Sequence, residues 1–268
     1  MQEHLIREHH IDISGFSEAF LTKTFAERME AMNCQMPDCY LEKLQKNESE
    51  RLLLQESLTV TYTEFFRSPL SYAILEQVVF PNIMALKGMT GQSEIRVWAA
   101  GCSSGQEPYS IGIVLADLLF NRQGSFSWRI FGTDISGKEL DIAVKGEYPE
   151  PLTGNIKAKH LNRYFTRKEN VYSINDEIRE HVTFSFHDLL DNGSIAPSQS
   201  IFGDFDVILC CNVLLYFNCD TQKLIIDKFF KAVNDRGYLV LGDEETSLLR
   251  LSNRFAPVFS PSSVYYKR

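Results

Sequence analysis

Apolar residues recur at helical spacing over 16–32 and again over 40–54, and Pro37 with Asp38 marks the break between the two stretches. A third such stretch runs from Leu70 to Phe80 and is stopped by Pro81. The pattern predicts an all-α region over 1–82. Residues 83–93, which include KGMTGQS with its two glycines and little to bury, predict a linker. From Glu94 the period changes. Residues 95–100 and 128–133 have the β-branched and aromatic character of buried strands, and helical stretches follow them at 108–120 and 136–145. Such alternation predicts an α/β domain over 94–268, built on a doubly wound, mostly parallel sheet. The alternation fails over 147–181. Two prolines, an amphipathic segment from Leu161 to Phe165 and a hairpin through Lys168, Glu169 and Asn170, with 171–174 as its second strand, predict a small inserted β-subdomain there. Strands then follow at 182–187 and 205–210, a helix at 221–233, the turn Asp235-Arg236-Gly237, a strand at 238–242 and a last strand at 264–266.

The segment from Arg96 to Phe120 reads as strand, glycine turn and helix, with Pro108 where its fixed φ suits a first helical position. After Pro108 the residues are apolar almost all round (Ile111, Ile113, Val114, Leu115, Leu118, Leu119), which predicts a helix buried against the sheet. The turn Gly101 to Gly105 then lies at the carboxyl end of a strand, the edge where such sheets bind ligands. A dinucleotide fingerprint would need G-x-G-x-x-G, but this turn is G-x-x-x-G, and Asp134 comes later than the ribose partner of that pattern. No Gly-Lys-Ser/Thr follows the glycines, so the chain has no Walker loop either. Carboxylates at the ends of two strand regions, Glu107 and Asp134, fit a ligand that carries a ribose and a positive charge. S-adenosylmethionine is the obvious one.

Composition narrows the partners. The 268 residues with 44% hydrophobic content can build a real core in one large or two smaller domains. With 27 basic against 35 acidic residues and a net charge of −8, a phosphate-neutralising surface is not expected, and nucleic acid is not an expected partner. Glu3, Arg7, Glu8 and Asp12 near the start predict no signal peptide, and Asp117 interrupts the longest apolar run. The expectation is a cytoplasmic protein with no membrane insertion. The six cysteines (Cys34, Cys39, Cys102, Cys210, Cys211, Cys219) form no C-x-x-C and no zinc-like spacing, so reduced, mostly buried thiols and no metal are expected. Cys102 could act as a nucleophile, yet no histidine close in sequence suggests its activation.

Four loops fall at predicted carboxyl ends of strands: 101–107, Asp134, Asp188 with Leu189, and 212–216. Each has a bland counterpart. Glu107 and Asp134 could cap helices, Asp188 could be a solvated turn carboxylate, and Tyr216 could be a core tyrosine beside Phe217. A fifth stretch, TYTEFFR at 61–67, sets two phenylalanines beside a threonine and an arginine. Either Phe65 and Phe66 pack between domains while Arg67 makes a structural salt bridge, or the segment belongs to a site.

TYTEFFR, RVWAAGCSSGQEPYSIGIVLAD, FGTDIS, NRYF, FSFHDLL, FDVILCCNVLLYF and GYLVLGDEE stand in the order and spacing of the chemotaxis receptor methyltransferase family, CheR. The chain resembles that family from about residue 10 to its end. The resemblance implies a class I S-adenosylmethionine-dependent methyltransferase domain (a Rossmann-like doubly wound sheet), an all-α N-terminal domain and a small inserted β-subdomain. It also implies protein-glutamate O-methyltransferase activity on chemoreceptors, with S-adenosylhomocysteine as product. Carried over residue by residue, it implies cofactor contacts at Thr61, Thr63, Arg67, Ala100, Gly101, Glu107, Asp134, Asp188, Leu189, Cys211 and Asn212. Asp134 would hold the ribose hydroxyls, a role its place after the second strand suggests independently. Arg67 and Tyr216 are the implied catalytic pair.

The chain also departs from the family pattern. The family commonly has Asn where this sequence has Thr61 and Asp188, and Arg-Asn where it has Cys211-Asn212. Aspartate in place of asparagine loses an amide donor, and Cys211 removes a cation. Enterobacterial members that grip a receptor C-terminal pentapeptide have a longer, glycine-containing loop in the inserted lobe. The segment 166–174 is shorter and lacks glycine, so the expected partner is the chemoreceptor's cytoplasmic helical region without pentapeptide tethering. The N-terminal helices carry Lys23 and Arg28 but also Glu18, Glu27 and Glu30, and so are only weakly basic. A monomer is expected.

A glutamate carboxylate, with a reference pKa of about 4.3, is already ionised at neutral pH and needs no general base. It must be held in line behind the methyl carbon, and Arg67's planar fork suits that task. Tyr216 can donate its hydroxyl to the same carboxylate or lay its ring beside the sulfonium. Two other readings remain: a methyltransferase for a different carboxylate, and a non-catalytic signalling scaffold that binds S-adenosylmethionine or S-adenosylhomocysteine.

Overall fold

A computed structural model describes Leu5 and residues 11–120, 126–191, 193–200, 203–249 and 254–268. The chain divides into two units, one made of the residues up to Val60 with Leu214–Leu224, the other of Thr61–Val213 with Ile225–Arg268.

In the first unit, α1 (Glu18–Ala31) starts at Ser17, whose hydroxyl accepts from the Phe20 N–H at 3.4 Å. The single helix predicted over 40–54 is two: α2 (Pro37–Lys46) and α3 (Glu48–Ser57). Asn47 divides them. Its backbone is extended (φ −126°, ψ 101°), and its side chain accepts from the Glu50 N–H at 3.1 Å, so it caps the second helix instead of continuing the first. Leu5, Ile11, Phe25, Tyr40, Leu44 and Leu54 form the core of this unit. Glu50 is buried within it, where it accepts from Arg28 Nε at 2.9 Å, from a second Arg28 N–H, and from the Tyr40 hydroxyl at 2.8 Å. The 214–224 piece joins through Phe217, stacked on Phe16 with 5.4 Å between ring centroids, and through Asn218 N–H donating to the Gly15 carbonyl at 2.9 Å.

The second unit opens with α4 (Pro69–Ile74), a π turn over Leu75–Val79 and α5 (Phe80–Thr90), which ends at left-handed Gly91. Helix was predicted to stop at Pro81, but it continues to Thr90. Proline lacks the N–H that would reach back one turn and crowds the carbonyl there, and the wider π turn just ahead accommodates both defects. Residues 83–90, expected as linker, are helical because Ile83 and Met84 are buried in the same core as Val97 and Ile113. The buried Lys87 ammonium also pairs with Asp206 at 2.9 Å. The stretch from Thr61 onward is thus part of the α/β unit, not of an N-terminal helical domain ending at 82.

The chain then runs through β1 (Glu94–Ala100), α6 (Gln106–Leu119), β2 (Ser127–Asp134) and α7 (Gly137–Lys145). Next come β3 (Glu147–Pro149), α8 (Ala158–Tyr164), β4 (Phe165–Lys168), β5 (Val171–Ile174), α9 (Asp176–Arg179) and β6 (Val182–Phe186). The remaining elements are β7 (Phe205–Cys210), α10 (Cys219–Ala232), β8 (Val233–Leu241), β9 (Phe255–Pro257) and β10 (Val264–Lys267). Seven strands form one sheet in the order β6-β2-β1-β7-β8-β10-β9. β10 is antiparallel to both its neighbours and the other pairings are parallel. The order reverses between β1 and β7, which makes that edge the topological switch point. The turn predicted at 235–237 lies inside β8 as an irregularity, with Arg236 left-handed and the register against β7 shifted.

β3, β5 and β4 form a separate three-stranded antiparallel sheet. Aromatic and polar contacts fix it in this unit. Phe65 lies edge-on to Tyr148 (4.9 Å) and Phe165 (5.7 Å), and the Tyr148 hydroxyl donates to the Ser104 carbonyl at 2.7 Å. On α6, Asp117 accepts from the Tyr164 hydroxyl at 2.6 Å and from Lys159 at 3.0 Å, and His160 Nε2 lies 2.9 Å away. Desolvation opposes the charge, but these hydrogen bonds hold the Asp117 carboxyl down to about 2.

Candidate functional site

At the end of β1 the chain must turn sharply under β7, and Gly101 does so with φ 73°. A Cβ on it would stand 2.5 Å from Val213 Cγ2, so no side chain fits. The Gly101 and Cys102 N–H groups both donate to the Thr133 carbonyl, at 2.8 and 2.9 Å. Gly105, left-handed at φ 90°, begins α6, and a Cβ there would stand 2.8 Å from that of Ala143 on α7. Between the glycines, Ser103 donates its N–H to Asp134 at 2.8 Å and its hydroxyl to the Thr61 carbonyl at 2.7 Å, joining the 61–67 segment to the turn.

Past β7, Asn212 is also left-handed (φ 61°). Its N–H donates to Glu245 Oε2 at 2.9 Å, and the Gly242 N–H donates to the same oxygen at 2.8 Å. The ends of β1, β7 and β8 and the 62–75 segment enclose a cavity of about 220 Å³.

The cavity is acidic. Glu64, Glu107, Asp243 and Glu244 line it, against one cationic side chain among its lining residues, Arg67. Burial pushes the Glu107 carboxyl up to about 7, and Glu245 adds to the rise, while a hydrogen bond with Cys211 and the charge of Arg67 oppose it. Burial also pushes the Cys211 thiol and the Tyr72 phenol above their ordinary values, with Glu107 contributing to both. Arg67 is exposed. Its guanidinium lies 5.2 Å from the Tyr62 ring centroid and donates to the Tyr62 carbonyl at 3.4 Å, with no carboxylate in ion-pair reach among the described residues. Ser68, one residue on, donates to Asp243 at 3.2 Å.

Of the residues expected from sequence, Thr63, Arg67, Gly101, Glu107, Cys211 and Asn212 line this one cavity. The others do not. Ala100 is buried in β1, and Thr61 is exposed and contributes its carbonyl to Ser103. Asp134 accepts from the Ser103 and Ser136 N–H groups at 2.8 and 2.9 Å, and burial raises its carboxyl despite those bonds. Asp188 accepts from the Leu190 N–H at 2.8 Å, as a turn carboxylate does, and the carbonyl of buried Leu189 accepts from Lys228 at 2.7 Å. Tyr216 belongs to the first unit, where its ring lies 5.0 Å from that of Phe20 and its carbonyl accepts from the Ser17 N–H at 2.8 Å. The salt bridge considered for Arg67 is absent among the described residues, and Phe65 packs on the small sheet within its own unit. All six cysteines are free thiols, of which Cys34, Cys102 and Cys210 are buried.

Several residues at the site escaped the sequence reading: the acidic lining residues Glu64, Asp243 and Glu244, the lining residue Tyr72, and Glu245 just behind the wall. Tyr72 had only its place five residues past the TYTEFFR motif to mark it. Glu245 was visible as a third acidic residue just past a strand end, a position where carboxylates cap free N–H groups.

A parallel sheet of this order, closed by antiparallel β10 and bearing an acidic cavity at its switch point, defines the class: a class I S-adenosylmethionine-dependent methyltransferase fold. Residues 61–264 match the family described as CheR methyltransferase, SAM binding domain. The chain belongs to this CheR methyltransferase family. It is 32% identical over 220 residues to chemotaxis protein methyltransferase 1 of Pseudomonas aeruginosa, covering 80% of this chain and 77% of that protein. To the chemotaxis protein methyltransferase of Escherichia coli it is 33% identical over 222 residues, covering 81% and 72%. It also matches, at 32% identity over 83% of its own length, 22% of an uncharacterized 104.1 kDa protein of Rhodobacter capsulatus, so it spans about a fifth of that relative. The cofactor is S-adenosylmethionine, and the cavity suits it: a half-buried carboxylate, Glu107, among further acidic groups is matched to a ligand carrying an ammonium and a sulfonium. No helix among the described residues is long and apolar enough to cross a membrane.

Proposed function

We propose that the chain transfers the methyl group of S-adenosylmethionine to glutamate side chains of chemoreceptors, in the cytoplasmic helical region where adaptation is set. The observation that carries this reading is Arg67. An exposed guanidinium without a carboxylate partner among the described residues, lining the same cavity as Glu107, is suited to receive a carboxylate from outside. The names of the chemotaxis methyltransferases it resembles support the same substrate class.

The bound cofactor supplies an electrophilic methyl group. The residues of this chain bind and orient. Glu107, when ionised, takes the ammonium, while Asp134, with lone pairs left beyond its two backbone bonds, is assigned to the ribose hydroxyls. Thr63, Gly101 and Asn212 complete the cavity wall, and Thr61, Ala100, Asp188, Leu189 and Cys211 remain assigned to cofactor contact on the family resemblance. Arg67 aligns the incoming carboxylate, which is already the nucleophile at neutral pH, so no side chain need accept a proton. Tyr216 is assigned to the same carboxylate on the strength of its LLYF motif. The turn between β4 and β5 is tight, with Glu169 left-handed, which supports a receptor contact that does without a pentapeptide tether.

The test is methylation of a purified receptor fragment, with glutamate-to-glutamine variants of that fragment as controls. Arg67→Ala and Tyr216→Phe should lose methyl transfer while retaining S-adenosylhomocysteine binding. Near-normal turnover in both variants would remove them from the mechanism, and turnover on the glutamine controls would remove glutamate as the acceptor.

A further inference from the structure

Glu245 stands outside the cavity lining yet holds one of its walls. Only 2% exposed, it uses a single oxygen, Oε2, to accept the N–H of Asn212 and the N–H of Gly242, residues that lie just past the ends of neighbouring strands β7 and β8. Gly242 packs closely against that oxygen. A Cβ on Gly242 would stand 2.8 Å from it, 2.9 Å from Asn212 N and 3.0 Å from Asn212 Nδ2. Asparagine tolerates a left-handed backbone better than other residues with a Cβ, but the Asn212 N–H would without this anchor be a half-buried donor with no acceptor.

We propose that Glu245 is a positioning residue of the cofactor site, acting by locking Asn212 in its left-handed turn rather than by touching the cofactor. This rests on the reading that Asn212 contacts the cofactor. Replacing the carboxylate of Glu245 by an amide keeps an acceptor oxygen and leaves the anchor in place. Removing the whole side chain frees two N–H groups and releases the turn.

Calorimetry with S-adenosylhomocysteine as the probe separates these effects. Glu245→Ala is expected to weaken binding about tenfold or more, the scale of a lost buried hydrogen-bond anchor. Glu245→Gln, which retains an acceptor oxygen, is expected to bind near wild-type strength. A Glu245→Ala protein that melts at lower temperature yet binds with wild-type affinity would overturn the proposal, because the carboxylate would then be purely structural. So would a Glu245→Gln protein that binds about tenfold more weakly than wild type or worse, since it keeps the acceptor oxygen, and that arm decides the matter should the alanine variant fail to fold. Lack of binding by the wild-type protein would instead refute the cofactor assignment itself.

Discussion

Replacing Gly101 by alanine places a methyl group where the turn after β1 has no room for one. Two separate costs arise. Alanine in a left-handed conformation is disfavoured by about 1–2 kcal/mol. Its Cβ would also stand 2.5 Å from Val213 Cγ2 and 3.4 Å from Cγ1, an overpacking that costs about 1–3 kcal/mol once neighbours shift. The turn cannot simply rotate away, because the N–H groups of Gly101 and Cys102 are both committed to the Thr133 carbonyl. The sum, about 2–5 kcal/mol, is a large fraction of the about 5–15 kcal/mol that stabilises a typical domain. Urea unfolding followed by circular dichroism should read this loss, and calorimetry with S-adenosylhomocysteine should show weakened binding. Val213→Ala divides the two costs. Alone, it should destabilise by about 1 kcal/mol through lost apolar burial. Combined with Gly101→Ala it should restore the overpacking share, giving a favourable coupling of about 1–3 kcal/mol, while the backbone cost persists. A Gly101→Ala protein within about 0.5 kcal/mol of wild type, or strict additivity in the double variant, would refute the close approach of turn and Val213.

Two further predictions concern protons. In the role proposed for it, Glu107 takes the ligand's ammonium only when ionised, and its carboxyl is pushed up to about 7, so affinity for S-adenosylhomocysteine should be full above that pH and fall as pH drops through it. Glu107→Gln should bind weakly with a flat profile, and a wild-type profile flat from pH 8 to 6 would contradict the burial argument. The Asp117 carboxyl is shifted the other way, downward. Held at about 2 when folded, against about 3.9 in an unfolded chain, it contributes about 2 kcal/mol that is present above the higher value and lost as pH falls from about 4 to 2. Asp117→Asn should lower stability at pH 7 and flatten acid unfolding across that window. An unchanged acid transition would show that the Tyr164, Lys159 and His160 contacts do not act on this carboxyl.

The strand, glycine turn and helix from Glu94 to Leu119 were legible because three local signals agree: a β-branched run, glycines where φ is positive, and Pro108 in the first helical turn. Thr63, Arg67, Glu107 and Asn212, far apart in sequence, were reachable through their motifs and do line one cavity. Other features were hidden for physical reasons. Pro81 reads as a stop in any local rule, and the π turn that accommodates it leaves no mark in the residue pattern. Ile83 and Met84 look like the edge of a linker until the sheet they pack against is known. Asn47 lies inside an apolar period that is helical on both sides, and only its side-chain bond to Glu50 N–H shows that it ends one helix and starts another. Tertiary partners decide such positions, and a single sequence does not name them.

The helical unit is discontinuous. Residues 214–224 leave the α/β chain after β7, stack Phe217 on Phe16, and return within one helix. Cutting the polypeptide before Thr61 would therefore not yield a clean fragment, even though the SAM binding domain of the family matches residues 61–264. The remnant would present orphaned aromatic faces at Tyr216 and Phe217 and an acceptor-less Asn218 amide, a recipe for self-association. The two parts of this protein are stitched, not strung.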